Sequence, residues 1–356
     1  MIVRSGGEIG IKSKPVRREY ENLLLKLIRG ALNDDGVPFS KIWRTAGRIF
    51  IRTADADKAA ITASKVFGVS STSPGILAGS DLATIIKTGT EMAEIILKPG
   101  TFAVRCRRTG KHAYSSQGVA SLMGESILNR IGGMKVDLTS PEQEINVEIR
   151  DEMSIIFVKT YRGPDGYPIG TQDTAAGMLD ETVDSLVSAW CIMKRGSAIV
   201  PIILERPKEI MDTIWKNLAA LSEWLPHRGL KCVIATPPAQ LVQDATSLRS
   251  LHFQLTAYFA SKNGIGGMAS GIPVDEFKTI TSLASRFPVC LLFPLIAMDR
   301  NLLACWTNVI GVSLDSLPRY KEALCQYPFF SDSQLSELLA SAKEITVSRG
   351  QIGLAL

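Results

Sequence analysis

The residues most indicative of chemistry in this sequence lie between a small apolar run and a helical pattern. Residues 175–190 read AAGMLDETVDSLVSAW, which predicts a strand, a tight turn and then a helix. Such a turn holds phosphate when its glycines let backbone N–H groups approach the anion closely. Here the turn is Asp180-Glu181-Thr182, so two carboxylates stand where a phosphate would bind. Like charges about 4 Å apart repel by about 4 kcal/mol at an effective dielectric constant of 20, which disfavours a triphosphate.

Basic residues are concentrated in the first half of the chain and form a second candidate site. Residues 1–170 contain 24 Lys and Arg against 18 Asp and Glu, whereas residues 171–356 contain 16 against 17. Arg and Lys bind phosphates without reading base sequence, so we expect a nucleic-acid-binding surface in the first half. For the residues that begin a helical pattern, a solvated helix face is the alternative. The candidate nucleic-acid-binding residues are Lys12, Lys14, Arg17 and Arg18 in that pattern, and Arg105, Arg107, Arg108 and Lys111 along and after a strand.

The elements that must position these residues predict an α/β and α+β multidomain protein. The first 75 residues have the order strand, helix, strand, strand, helix, strand, which is typical of a ferredoxin-like domain. A second small α/β module follows and contains the arginine-bearing strand. After residue 171, apolar strands at 198–204, 230–235 and 289–293 alternate with helices, which predicts a doubly wound parallel sheet. Because ligands bind at the carboxyl ends of such strands, residues 179–185, 203–205 and 264–267 should face one crevice.

Composition argues against several classes of protein. The chain has no run of 18 apolar residues, and Arg4 interrupts its apolar start. Neither a membrane span nor a secretion signal is therefore expected, and we expect a cytoplasmic protein. The six cysteines include no C-x-x-C pair and the three histidines are far apart, which argues against a disulfide framework or a zinc site.

Short motifs between residue 1 and about residue 313 resemble, in the same order, those of the tRNA 4-thiouridine synthetase (ThiI) family. That family combines an N-terminal ferredoxin-like domain, a THUMP RNA-binding domain and an adenylating PP-loop domain. The resemblance implies that these domains occupy residues 1–75, 76–165 and 166–356, and that the partner is tRNA. The motifs include GEIGIKSK at residues 7–14, GRIFI at 47–51, FGV at 67–69, MKRG at 193–196 and PLIAMDR at 294–300.

The resemblance also implies ATP and Mg²⁺ as cofactors. It assigns a catalytic role to Asp184 and cofactor binding to Met178, Leu179, Asp180, Thr182, Ser185, Ile203, Leu204 and Gly266. The sequence departs from the family in two places. The family's S-G-G-x-D-S loop corresponds to Asp180–Ser185 and keeps only Asp184 and Ser185, and its G-Q-V-A-S-Q segment corresponds to Gly266–Gly271 without either glutamine. In the family, the cysteine that carries sulfur lies either in a rhodanese-like domain or in a cysteine pair of the PP-loop domain. We expect neither in this sequence.

These observations leave three hypotheses. The first is a tRNA-binding family member whose adenylation site is degraded. The second is an active enzyme that thiolates a tRNA uridine at the expense of ATP and takes sulfur from a partner protein. The third is sulfur transfer for thiamine thiazole synthesis. The resemblance further implies a homodimer.

Overall fold

The computed structural model describes residues 1–45, 47–225, 229–272, 285–313 and 328–348. The chain divides into two compact units. The first comprises Met1–Lys65 and Val69–Asp165, and the second comprises Val66–Gly68 and the chain from Gly166 onward.

The first unit is built from two five-stranded sheets and the helices that cover them. Its strands are β1 (Ile2–Ser5), β2 (Lys41–Thr45), β3 (Arg48–Arg52), β4 (Val69–Ser73), β5 (Ile76–Gly79), β6 (Gly100–Thr109), β7 (Met134–Val136), β8 (Gln143–Arg150), β9 (Met153–Phe157) and β10 (Tyr161–Arg162). Its helices are α1 (Gly7–Gly10), α2 (Lys14–Asp34), α3 (Ala56–Ser64), α4 (Leu82–Ile96) and α5 (Ser116–Arg130).

The first sheet has the strand order β10-β4-β1-β3-β2, with antiparallel neighbours throughout. Apart from the single-turn helix α1, its elements follow the order β1, α2, β2, β3, α3 and β4, which confirms the ferredoxin-like order expected from the sequence. Leu24, Ile28 and Ala31 recur at helical spacing on α2 and are fully buried, because one face of an amphipathic helix packs against the core.

The second sheet has the order β5-β9-β8-β6-β7 and is mixed, since β6 runs parallel to both of its neighbours. A strand inside a sheet that is covered by helices is buried on both faces. Phe102, Ala103 and Val104 are accordingly all buried, and only the second half of β6 leaves basic side chains near the surface.

A buried carboxylate connects the two sheets of the first unit. Glu148 on β8 is 3% exposed and accepts hydrogen bonds from three guanidinium groups. The donors are Nε of Arg4 on β1 at 3.1 Å, Nε of Arg48 on β3 at 2.8 Å, and Nη2 of Arg150 at 2.6 Å. A buried charge is tolerated only when it is paired in this way.

The second unit is a twisted sheet with helices on both faces. Its strands are β11 (Gln172–Met178), β12 (Ser197–Leu204), β13 (Leu230–Ala235), β14 (Gly267–Ala269), β15 (Cys290–Leu292) and β16 (Lys343–Val347). Its described helices are α6 (Val183–Lys194), α7 (Lys208–Ser222), α8 (Ala245–Lys262), α9 (Arg300–Ile310) and α10 (Asp332–Ala340).

The strand order is β15-β14-β11-β12-β13-β16, and every pair except β13 with β16 is parallel. One apolar cluster joins the sheet to α6, α7 and α9, and another joins it to α8 and α10. This arrangement confirms the doubly wound domain. The described residues 328–348 contribute α10 and the antiparallel edge strand β16.

A short segment from the first half of the sequence belongs to the core of the second unit. Phe67 is 1% exposed, and its ring centroid lies 5.3 Å from that of Trp190 and 5.5 Å from that of Trp224. Tilted aromatic pairs at such separations add to the stability gained from burial. No helix of the described residues is long and apolar enough to cross a membrane.

Candidate nucleotide crevice and basic groove

The turn that carries Asp180, Glu181 and Thr182 lies where the winding of the sheet reverses. β11 lies between β12, which follows it in sequence, and β14, which comes later. In open α/β sheets this reversal creates a crevice at the carboxyl ends of the two central strands, and ligands bind there. Residues 179–182 lead from β11 into α6, so the sequence placed this turn correctly.

The acidic turn is closed by hydrogen bonds within itself. Oδ1 of Asp180 accepts from the backbone N–H of Thr182 at 2.8 Å and from its hydroxyl at 2.5 Å. Oγ1 of Thr182 caps α6 by accepting from the N–H of Ser185 at 3.2 Å. One N–H of the first helical turn, that of Ser185, therefore has a side-chain acceptor, and the carboxylate of Asp180 is held against the N-cap residue at the start of α6.

Two further side chains hold the turn. The buried hydroxyl of Ser185 accepts from the N–H of Asp180 at 3.2 Å and donates to the carbonyl of Thr182 at 3.0 Å. Asn217 on α7 is fully buried, and its Nδ2 donates to the carbonyl of Asp180 at 3.1 Å. These bonds fix the backbone of the turn on both sides, so a phosphate would have to displace them.

The other side of the crevice is closed by the segment that follows β14. A Cβ built on Gly271 would lie 2.5 Å from the carbonyl oxygen of Asp184 and 2.6 Å from the nitrogen of Ser185. Glycine alone permits so close an approach of two backbones. Asp184 itself is 4% exposed, so this predicted catalytic residue lies in a packed helix start.

A cavity of about 140 Å³ remains beside the turn, on the side of β12 and α8. Met178, Asp180, Thr182 and Leu204, which the sequence predicted as cofactor-binding, line it. Sequence reasoning missed the other polar residues of its wall, since nothing in their spacing marks them as a group. These are Arg206, Arg249 and His252, and Nη1 of Arg206 lies 3.9 Å from Oε2 of Glu181.

Two titratable groups of this cavity are shifted by burial. Desolvation, reinforced by the neighbouring charge of Asp180, raises the pKa of Glu181. His252 is 5% exposed, and desolvation lowers its pKa. Its Nε2 lies 2.7 Å from the carbonyl of Ile202. Since a carbonyl only accepts, Nε2 carries the proton and Nδ1 is the acceptor of a neutral ring.

Four of the predicted cofactor residues are not among those that line this cavity: Leu179, Ser185, Ile203 and Gly266. The hydroxyl of Ser185 bonds to the backbone of the turn instead. Leu179 and Ile203 are fully buried in the apolar core under α6 and α7. Gly266 precedes β14, whose first residue Gly267 pairs with Ala175 of the parallel strand β11. It therefore lies at the amino ends of the strands, and the expectation that residues 264–267 face the crevice is wrong. The segment at the carboxyl end of β14 is Ser270–Ile272.

The predicted basic strand borders a groove of about 500 Å³ in the first unit. Arg105, Arg107, Ser116 and Gln117 are among its lining residues, so the start of α5 faces the same groove. Nε of Arg105 donates to Oε1 of Glu144 at 2.9 Å, and its Nη2 donates to the carbonyl of Leu138. Arg107 is exposed.

The other predicted basic residues lie outside the lining of this groove. Arg108 donates to the carbonyl of Gly110 through Nη1, and Lys111 is exposed in the turn that follows. At the start of α2, Lys14 and Arg18 are exposed, whereas Nε of Arg17 donates to Glu21 at 2.9 Å. Lys12 precedes that helix and is half-buried.

The thiols of the second unit are poor nucleophiles where they are buried. Burial raises the pKa of Cys191 to about 11 and that of Cys232 to about 12, so little thiolate forms at neutral pH. Cys290 and Cys305 are exposed, and Cys325 lies outside the described residues. Cys290 begins β15 beside Gly267, at the edge of the sheet away from the crevice.

The protein combines a ferredoxin-like domain, a second small α/β module and a parallel-sheet domain with a strand–turn–helix at its reversal point, which is the α/β and α+β multidomain class expected from the sequence. The ThiI ferredoxin-like domain model matches residues 1–73, and the THUMP domain model matches residues 80–159. A probable tRNA sulfurtransferase of Methanosarcina acetivorans is 39% identical in a 326-residue alignment that covers 85% of this chain and 78% of the relative. The chain therefore belongs to the tRNA sulfurtransferase, or ThiI, family.

Two solved structures share the fold. PH1313 from Pyrococcus horikoshii Ot3 is 28% identical with a TM-score of 0.71, and the match covers 87% of this chain and 99% of that one. A 4-thiouridine synthetase in complex with RNA and bound ATP is 23% identical with a TM-score of 0.76, and the match covers 98% and 99% of the two chains.

Proposed function

We propose that this protein is a tRNA-binding member of its family whose adenylation site no longer accepts ATP. The observation that carries the proposal is the pair of hydrogen bonds from Thr182 to Oδ1 of Asp180. In this arrangement the turn supplies its own anion. ATP would have to displace that carboxylate and then tolerate its charge nearby, at a cost of about 4 kcal/mol for two charges at 4 Å.

The closed crevice supports the same conclusion. Because Gly271 packs against Asp184 and Ser185, backbone covers the start of the helix that follows the turn. The acidic turn and this close packing therefore do not fit the phosphates of the ATP that the family implies.

Binding of tRNA is supported by the groove beside β6 and by the THUMP match over residues 80–159. Arginine side chains and a helix start on one wall give affinity for phosphates. These features do not depend on an intact adenylation site. The protein would then hold tRNA and leave sulfur transfer to another enzyme.

Calorimetry with ATP and Mg²⁺, beside a tRNA gel shift across a salt series, tests the proposal. We expect no heat of ATP binding at millimolar nucleotide, together with tRNA binding that weakens steeply as salt rises. Replacement of Asp180-Glu181-Thr182 by Ser-Gly-Gly should improve ATP binding at least tenfold. Tight ATP binding by the native chain, with uridine thiolation when a sulfur donor is added, would favour an active enzyme instead.

A further inference from the structure

The cavity beside the acidic turn retains polar groups that a degraded nucleotide site does not need. Four charged side chains line it, Asp180 and Glu181 against Arg206 and Arg249. Their formal charges cancel, so a neutral ligand matches the cavity better than a triphosphate. Met178, Leu204 and Leu248 supply apolar wall, against which a flat ring can pack.

The size of the cavity limits the ligand to one heterocycle. A dry cavity of about 150 Å³ takes one benzene ring, whereas clefts for whole drug-sized ligands measure roughly 300–1,000 Å³. The present cavity has about 140 Å³ and is partly open to solvent. A base can therefore enter it while the attached sugar stays at the mouth.

The hydrogen-bond acceptors that line the cavity favour a ligand that donates hydrogen bonds. Oε2 of Glu181 is buried and has no hydrogen-bond partner, and a buried acceptor left without a donor costs about 1–3 kcal/mol. The terminal torsion of a glutamate is soft, so a small rotation brings this oxygen to the ligand. His252 adds a second acceptor, Nδ1, because its Nε2 is held by Ile202.

The geometry points to a guanine base as the ligand of this cavity. Guanine has adjacent N1–H and N2–H donors, which suit a carboxylate and a neutral imidazole nitrogen. Its O6 and N7 are the acceptors that arginine recognises, and Arg206 and Arg249 both line the cavity. Adenine lacks the carbonyl oxygen, and cytosine offers a single donor group.

This inference rests on the proposed function, in which the site does not accept the triphosphate of ATP, and adds that the neighbouring cavity binds a base. The ligand is the guanine edge, which either free guanosine or an unpaired guanine of an RNA strand can present. Titration calorimetry of the full chain with guanosine, inosine and adenosine tests whether the cavity recognises the guanine edge. We expect saturable guanosine binding that is at least tenfold tighter than that of adenosine, with inosine weaker than guanosine because it lacks the 2-amino group.

Substitutions of lining residues test whether guanosine binds in this cavity. Glu181→Gln and Arg206→Gln should each weaken guanosine binding at least tenfold, whereas Glu209→Gln, on an exposed position of α7, should leave it unchanged. No guanosine binding at millimolar concentration, equal binding of adenosine, or undiminished binding by a folded Glu181→Gln variant would each overturn the inference.

Two further measurements distinguish an RNA guanine from free guanosine, and distinguish failure of this inference from failure of the proposed function. A five-nucleotide RNA with one central guanine, against the same RNA with adenine, is added as a competitor of guanosine. Competition by the guanine strand assigns the base to RNA, and its absence assigns it to the free nucleoside. ATP binding by the native chain would refute the proposed function, in which the phosphate site is closed. The guanine inference is decided separately, by the guanosine titration.

Discussion

The backbone of Gly271 lies directly against the peptide bond that joins Asp184 to Ser185, so that even one methyl group at this glycine would overlap it. Gly271 follows β14, and Asp184 is in the first turn of α6. The two segments are far apart in sequence, and both differ from the family pattern. Gly271 thus lies against Asp184 and Ser185, the two residues of the turn that match the family pattern.

Gly271→Ala is expected to destabilise the second unit. The added Cβ meets backbone atoms, which cannot move aside as a flexible side chain can, and overpacking of this kind costs about 1–3 kcal/mol or more. Urea unfolding measures the change in the free energy of unfolding. Gly266→Ala is the matched control, because a Cβ there meets nothing within 4 Å. Equal stability of the two variants would contradict the close packing at Gly271.

Glu148→Gln is expected to destabilise the first unit by about 3–5 kcal/mol, because removal of one partner leaves the buried guanidinium groups without a countercharge. Glu144 is on the same strand, and its ion pair with Arg105 is about 40% exposed. The control Glu144→Gln should therefore cost no more than about 1 kcal/mol. Thermal unfolding of both variants checks the difference.

The effect of Glu148 should also depend on pH. Burial by itself raises the pKa of this carboxyl, but the charges of Arg4, Arg48 and Arg150 outweigh burial and hold the pKa below its ordinary value. Arg107 adds a further positive charge near Arg4. A lowered folded-state pKa means that stability is present above the unfolded pKa and is lost as pH falls through the folded one. The gap between wild type and Glu148→Gln should thus close below about pH 4; a constant gap would argue against this account.

Arg107→Ala should weaken tRNA binding and reduce its salt dependence. One lost phosphate contact lowers the slope of log K against log salt by about 0.7–0.9. Arg130→Ala is a suitable control, since Arg130 is 53% exposed, pairs with Glu94 and lies at the other end of α5. A gel shift at several salt concentrations gives both slopes, and the same slope for the two variants would exclude the groove as a phosphate site.

Phe67→Ala should unfold the second unit more easily, although Phe67 lies between elements of the ferredoxin-like domain in the sequence. Its ring fills a space against Trp190 and Trp224, and truncation of a buried phenylalanine costs about 3–5 kcal/mol. Ile296→Ala, at a residue 45% exposed, should change stability little. Tryptophan fluorescence during urea unfolding reports mainly on this unit, because four of the five tryptophans, all except Trp43, belong to it. A shift no larger than that of the control would contradict the packing.

The sequence alone predicted the order of the elements, because helical and strand periodicities are local properties of the chain. It placed the acidic turn at the carboxyl end of β11 and the arginines on one strand. It did not reveal that Asp180 accepts the N–H and hydroxyl of Thr182, since that bond depends on the conformation of the turn.

The tertiary structure decided which distant residues share a site. The sequence predicted that residues 264–267 face the crevice, but strand register sets Gly266 at the amino end of β14 and Gly271 beyond its carboxyl end. Arg206 follows β12, whereas Arg249 and His252 lie one turn apart on α8, and only sheet order and helix packing bring the two segments to one cavity. Local sequence patterns determine the helices and strands. Strand register and helix packing determine which side chains become neighbours, because register and packing depend on contacts between residues remote in sequence.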